Sequence, residues 1–166
     1  GSISLLSREN EIELAKKIEE AEEKFKRTSL VTKFVRNEVL AVAGEILEGR
    51  INPEEVVKED IKAKKTNSFN KIRRIVKRLK NKRGADAINL ILDFNFTTSV
   101  IETAVRRLKK LLKEFDQIGG RSRRDLLRKR ALEKQLGEKI LKIKEQIKFI
   151  KSAHLKFNRT KKRLVE

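Results

Sequence analysis

A run of basic side chains carries the clearest chemistry in this 166-residue sequence. Between Lys62 and Ala85 there are eleven Lys or Arg residues and no Asp or Glu. Such a run creates a positive potential that attracts polyanions, above all the phosphates of nucleic acids. Phosphate contacts fix the position of a protein on a nucleic acid without reading its sequence. The alternatives are a helix face that is merely solvated and a docking surface for an acidic protein.

The charge is distributed very unevenly along the chain, whose net charge is +19. Residues 1–61 carry 10 Lys+Arg and 14 Asp+Glu, a net of −4, whereas residues 62–166 carry 33 and 10, a net of +23. Smaller basic clusters lie at 106–113 and 121–130. The residues that we predict to face phosphates are Lys71, Arg73, Arg74, Lys77, Arg78, Lys80 and Arg83, with Arg106, Lys110, Arg123 and Arg124 as secondary candidates.

Residue types that support catalysis or metal binding are scarce. The absence of Cys and the single His argue against thiolate chemistry, catalytic triads and most metal sites. His154 lies on an apolar helix stripe, where we expect a boundary residue with one hydrogen bond. Asp86 and Asp93 have no partner acid for general acid–base catalysis, and Gly119-Gly120 lacks the Lys-Ser/Thr of a phosphate loop. We therefore predict that the chain is no enzyme and takes no cofactor, metal or small-molecule substrate.

The composition favours long amphipathic helices. Apolar residues make up 38% of the chain and charged residues 40%, with one Pro and seven Gly. No run approaches the roughly 18 apolar residues of a membrane span. Phe94 and Phe96 could stack on bases, but we expect them in the core, because the chain has no Trp or Tyr to complete an aromatic platform. The lack of Cys suggests a reducing, cytoplasmic location.

Apolar residues recur in steps of three and four, which predicts an all-α fold of about six to eight amphipathic helices. Ser7 is the expected cap of the first helix, after the staple candidates Leu5 and Leu6. The second helix is expected to begin at Thr28 or Ser29. It should carry Val31 inward and end at Gly49.

The remaining helix boundaries follow from caps and breaks. Asn52-Pro53 should open a short helix, with a mobile connection over 58–67. The basic helix is expected from about Ser68 to Lys82, ended by Gly84. After a brief helix over 85–93, Ser99 and Glu102 match a capping box for a helix that Gly119-Gly120 breaks. A further helix from Ser122 and a long last helix from Ile140 complete the prediction.

The two ends of the sequence resemble bacterial primary sigma factors, the promoter-recognition subunits of RNA polymerase. Residues 5–9 (LLSRE) and 11–19 (EIELAKKIE) are similar to the end of the family's region 1.2. Residues 35–57 resemble the start of the insert between regions 1.2 and 2.1, and residues 160–166 (TKKRLVE) resemble the entry into region 2.1. The resemblance implies three parts: 1–27 as the end of region 1.2, 28–150 as the insert, and 151–166 as the start of region 2.1. Because the family's first helix packs against region 2.1, the resemblance also implies a helical bundle whose N- and C-terminal helices are packed together.

The resemblance also implies which functions lie outside this chain. The family's contacts to the promoter discriminator precede residue 1, and its clamp-binding and −10-melting residues follow Glu166. The lack of Met suggests an excised piece, of which Gly1-Ser2 is either native or a cloning remnant. The implied partners are the clamp of the largest polymerase subunit and promoter DNA, contacted mostly through its backbone. The family's insert is often acidic, whereas this one is strongly basic, which favours contact with a nucleic acid.

Overall fold

The chain folds as a bundle of helices. The structure is a computed structural model that describes residues 7–58 and 65–165, without the side chains of residues 65–67 and 164–165. These residues form eight helices and no strand, which confirms the predicted all-α fold. In chain order the helices are α1 (Arg8–Leu30), α2 (Lys33–Leu47), α3 (Pro53–Val56), α4 (Lys65–Leu79), α5 (Gly84–Leu92), α6 (Thr98–Gln117), α7 (Arg123–Leu136) and α8 (Ile140–Val165).

The first and last helices pack along each other, which confirms the packing implied by the resemblance, and they run in opposite directions. At one point of this contact the Phe25 ring stacks on His154 at 4.6 Å and on Phe157 at 6.3 Å between ring centroids. Farther along, the Thr32 hydroxyl donates to Gln146 Oε1 over 2.9 Å. Since the contact pairs run in opposite order along the two helices, α1 and α8 are antiparallel.

Helix α2 lies at the centre of the bundle, where it packs against α4, α5 and α6. Val35, Val39 and Ala43 are buried on it and belong to one core cluster. Ile72 from α4 and Leu108 from α6 are buried in the same cluster. Apolar residues from α2, α4 and α6 therefore form one core, with α2 at its centre.

A buried ammonium group ties α1 to the loop before α6. Lys26 Nζ lies 3.0 Å from Glu22 Oε1 and donates to the Phe96 carbonyl over 2.9 Å. Lys58 also pairs with Glu22, and its backbone N–H donates to the Asn95 carbonyl over 2.9 Å. Burial lowers the pKa of Lys26. Burial would raise the pKa of Glu22, but the hydrogen bonds from Lys58 and Lys26 outweigh it and hold that pKa below 4.5.

Three caps lie where the sequence predicts them. The side chains of Ser7, Asn52 and Ser122 accept from backbone N–H groups in the first turns of α1, α3 and α7. Helix α2 also ends close to the predicted stop, with Gly49 at a φ of +79°. Leu5 and Leu6 lie outside the described residues.

The predicted start of the second helix at Thr28 or Ser29 is wrong. Helix α1 continues to Leu30, because the Ser29 hydroxyl donates to the Phe25 carbonyl over 2.7 Å and remains inside the helix. Thr32 is the residue that precedes α2. Val31, predicted to point inward, falls between the two helices and is 48% exposed.

The basic helix is also displaced from its predicted position. It begins at Lys65 rather than Ser68, so the end of the predicted mobile connection is helical, while residues 59–64 of that connection lie outside the described residues. It ends at Leu79, and Gly84, predicted as its stop, is instead the first residue of α5. Lys80 and Arg83 therefore lie on the connection between α4 and α5.

The capping box predicted for α6 does not form. Thr97 is the N-cap residue of α6, and Ser99 is the second residue of the helix. The Glu102 carboxylate lies 2.8 Å from His154 Nε2 on α8. Glu102 therefore pairs with a residue on another helix and not with the start of its own helix.

We predict that Phe25→Ala lowers the free energy of unfolding by about 3–5 kcal/mol, because the ring is fully buried between α1 and α8. Urea unfolding followed by helical circular dichroism measures this loss, since the chain has no Trp or Tyr fluorescence. The matched control is Phe149→Ala, which removes a ring that is 70% exposed and should change stability by less than about 0.5 kcal/mol. Equal losses in the two variants would contradict the packing of α1 on α8.

We also predict that Glu22→Gln weakens the protein at neutral pH and less so in acid. A carboxyl whose pKa is lowered on folding stabilises the fold above its unfolded pKa and loses this effect as the pH falls through its folded pKa. The difference in unfolding free energy between wild type and variant should therefore be largest near pH 7 and shrink by pH 3. Urea titrations at both pH values check this, and a constant difference would count against the Glu22 ion cluster.

Candidate nucleic-acid interface

The apolar face of α4 determines which of its side chains reach solvent. Ile72 and Ile75 are buried against the core, and Phe69, Val76 and Leu79 are partly buried beside them. The basic residues between these positions lie at the edges of that face or on the rest of the helix surface. All seven primary candidates are exposed: Lys71, Arg73, Arg74, Lys77, Arg78, Lys80 and Arg83.

The primary candidates on α4 and on the connection after it have no acidic partners among the described residues. In the described part of the chain none of the seven forms an ion pair, and Arg73 alone has an aromatic contact, with its guanidinium 4.8 Å from the centroid of the Phe69 ring. Some cations on other helices are paired, as Arg27 is with Glu23 and Arg107 with Glu38. The α4 surface therefore carries positive charge that the fold itself does not neutralise.

The unpaired charges repel one another along α4. Like charges four residues apart, such as Arg74 and Arg78, destabilise a helix by about 0.2–0.5 kcal/mol per pair. A bound polyanion would remove this repulsion and release its own counterions. The geometry is thus suited to holding a phosphate backbone along the helix.

The secondary candidates lie on other helices. Arg106 and Lys110 are exposed on α6, and Arg123 and Arg124 are exposed in the first turn of α7. Helices α4 and α6 both pack on α2, while α7 packs on α6 and α2. The secondary residues thus lie on two helices that pack against each other.

Crowding of cations extends to the contact between α6 and α8. Burial lowers the pKa of Lys109 on α6, and the nearby ammonium of Lys151 on α8 lowers it further. The charge density of the C-terminal two thirds of the sequence therefore reaches several faces of the bundle. A DNA-binding experiment must therefore distinguish binding by α4 from binding by the other basic surfaces.

The other residues singled out from the sequence have structural positions. Phe94 and Phe96 are buried and stack on each other at 5.0 Å between centroids, so the expectation that they belong to the core is confirmed. His154 is the predicted boundary residue, half-buried against Phe25 and hydrogen-bonded to Glu102. Within the described ranges, no three His, Asp or Glu side chains are grouped as metal ligands would be.

One exposed apolar residue was missed by the sequence analysis. Phe149 on α8 is 70% exposed, although its neighbours Ile147 and Ile150 are buried. The signal was present in the sequence, because Phe149 falls off the three-and-four stripe that places those isoleucines in the core. Aromatic residues are enriched in protein interfaces relative to the rest of the surface, so Phe149 is a candidate contact residue.

No protein-family model, curated protein or solved structure matches this chain. Of the helices that the structure describes, none combines the length and apolar character that crossing a bilayer requires. The fold and the site together define an all-helical protein with an unneutralised basic face.

We predict that Arg74→Glu/Arg78→Glu leaves the protein as stable as the wild type or slightly more stable. Both side chains are exposed and unpaired. Their reversal turns the repulsion of position 74 from Lys71 and Lys77 into attraction, which offsets the like-charge repulsion that remains between positions 74 and 78. Thermal unfolding should show an equal or higher midpoint. For comparison, Arg107→Glu places two carboxylates together at Glu38 and should cost about 0.5–1 kcal/mol. A large loss in the α4 double variant would mean that these arginines have structural partners.

Proposed function

We propose that this chain is a piece of a bacterial primary sigma factor, non-enzymatic and acting in the cytoplasm in transcription initiation. In this proposal α1 carries the end of region 1.2 and α8 leads into region 2.1. The helices between them are the insert. The resemblance of residues 5–19 and 160–166 to that family supports the proposal, as does the antiparallel packing of the two helices that carry these segments.

The basic face of α4 is the observation from which a binding function follows. From Lys71 to Arg78 the helix rises about 11 Å. Over that length duplex DNA carries roughly six phosphate charges. The exposed, unpaired cations of α4 and the following connection match this number in order of magnitude. The face holds the DNA backbone near the promoter without reading bases, while α1 and α8 support the domain that follows.

The clamp of the largest polymerase subunit is the second partner in this proposal. A helical module that docks only an acidic protein, without DNA contact, is the alternative, and the same unpaired cations are compatible with it. The two functions differ in what charge reversal does. A DNA binder loses affinity equally for all sequences, whereas a protein dock loses one partner.

Fluorescence anisotropy of a labelled promoter duplex, titrated with the chain between 50 and 300 mM salt, tests the DNA contact. If about four to six side chains touch phosphates, the logarithm of the affinity should fall with the logarithm of salt at a slope of roughly −4 to −5. We expect Arg74→Glu/Arg78→Glu to flatten the slope by about two and to weaken binding of promoter and unrelated duplexes alike.

The matched control is Lys148→Glu/Arg159→Glu, which reverses the charge of two exposed side chains on α8. It changes the net charge of the chain by the same amount as the α4 double variant. Equal losses in the two double variants would assign the binding to net charge alone and not to α4. Weak binding that neither double variant alters would exclude a DNA backbone contact and leave the acidic protein partner.

A further inference from the structure

A long groove runs between α1 and α8 on the side away from their buried rings. Its volume is about 750 Å³. On α1 its lining extends from Lys17 to Val31, a rise of about 21 Å. A groove of this length has the dimensions of a helix of about fourteen residues.

The floor and one end of the groove are apolar or small. Ala21 and Ala153 are buried along the floor, and Thr28 lies beside them. Small floor residues let a third helix approach closely. At one end Phe149 and Val31 project with 70% and 48% of their surface exposed, and they form an apolar anchor point.

The sides of the groove are positively charged. Lys17, Lys24, Lys156 and Arg163 line it, against the single carboxylate of Glu20. All four cations are exposed, and no carboxylate among the described residues pairs with them. This charge favours an acidic occupant and selects against the basic residues 62–166 of a second copy of the chain.

We propose that this groove binds an acidic amphipathic helix of a partner protein, which adds a third helix to the α1–α8 pair. The apolar stripe of the partner packs on the alanine floor and against Phe149, and its Glu and Asp side chains face Lys17, Lys24, Lys156 and Arg163. A helix that presents apolar anchors to a groove at three-and-four spacing is an established mode of recognition. The exposed aromatic anchor and apolar floor distinguish this groove from the α4 face, which has exposed cations only.

The test uses a labelled 18-residue peptide of Leu, Ala and Glu, with Leu on one helical stripe and Glu elsewhere. The control peptide has the same composition and charge in a shuffled order without a stripe. At 150 mM salt we expect saturable binding of the striped peptide to the whole chain, and at least tenfold weaker binding of the shuffled one. Equal binding of both peptides, or no saturable binding of the striped one, would overturn the proposal.

Variants locate the peptide on the protein. Phe149→Ala should weaken binding about tenfold, because the exposed ring becomes buried in the complex. Lys24→Glu/Lys156→Glu should weaken it at least as much. Leu141→Ala, which removes a 77% exposed side chain of α8 outside the groove, should leave the affinity within twofold. If Phe149→Ala and Leu141→Ala have the same affinity, the groove is not the binding site and the proposal fails.

The alternative occupants are tested in the same samples. A dimer of the free chain in sedimentation that Phe149→Ala dissociates would assign the groove to a second copy. Displacement of the peptide by duplex DNA, with DNA binding lost in Lys24→Glu/Lys156→Glu, would assign it to a nucleic acid. Either result overturns the proposal. The proposal is independent of the function of α4, because Arg74→Glu/Arg78→Glu should leave peptide affinity unchanged even if it abolishes DNA binding.

Discussion

The antiparallel packing of α1 on α8 is the contact on which the rest of the bundle depends. It joins residues more than a hundred positions apart, with Phe25 stacked between His154 and Phe157. Since α1 ends and α8 begins at the same end of this pair, everything between residues 31 and 139 must leave and return there. Helix α2 can then serve as the shared centre on which α4, α5 and α6 pack. The groove on the far side of the pair and the basic face of α4 are both consequences of that arrangement.

Polar tertiary contacts supplement the apolar core where the chain changes direction. Lys26 is buried, yet Glu22 and the Phe96 carbonyl satisfy its ammonium, and Lys58 completes the cluster from the segment after α3. A buried charge is tolerated only with such partners. The cations from Lys71 to Arg78 on α4 are in the opposite situation, exposed and without acidic partners among the described residues. The fold thus neutralises the buried charge of Lys26 and leaves these exposed charges unneutralised.

The fold class and most helices were predictable because they rest on local signals. The stripes that bury Ile72 and Leu108, and caps such as Ser7, need only neighbours within a few residues. The prediction failed where a local motif competed with a distant partner. Glu102 pairs with His154 and not with its own helix start. The exposure of the α4 cations followed from periodicity, but their lack of partners did not, since acids such as Glu38 reach cations on other helices. The groove could not be predicted, because it depends on how α1 and α8 lie relative to each other and no local sequence pattern contains that information.

The long sequence separation of the α1–α8 contact also has a consequence for folding kinetics. Contacts between distant residues slow folding, because the intervening loop must close first. On a ribosome α1 emerges first, and its main partner, α8, follows more than a hundred residues later. At about 5–20 residues per second this delay is on the order of ten seconds. During that interval Ala21 and Phe25, both buried in the finished protein, lack the surface that covers them. The nascent chain therefore presents an uncovered apolar stripe on a charged helix, and exposed apolar surface of this kind is what chaperones bind.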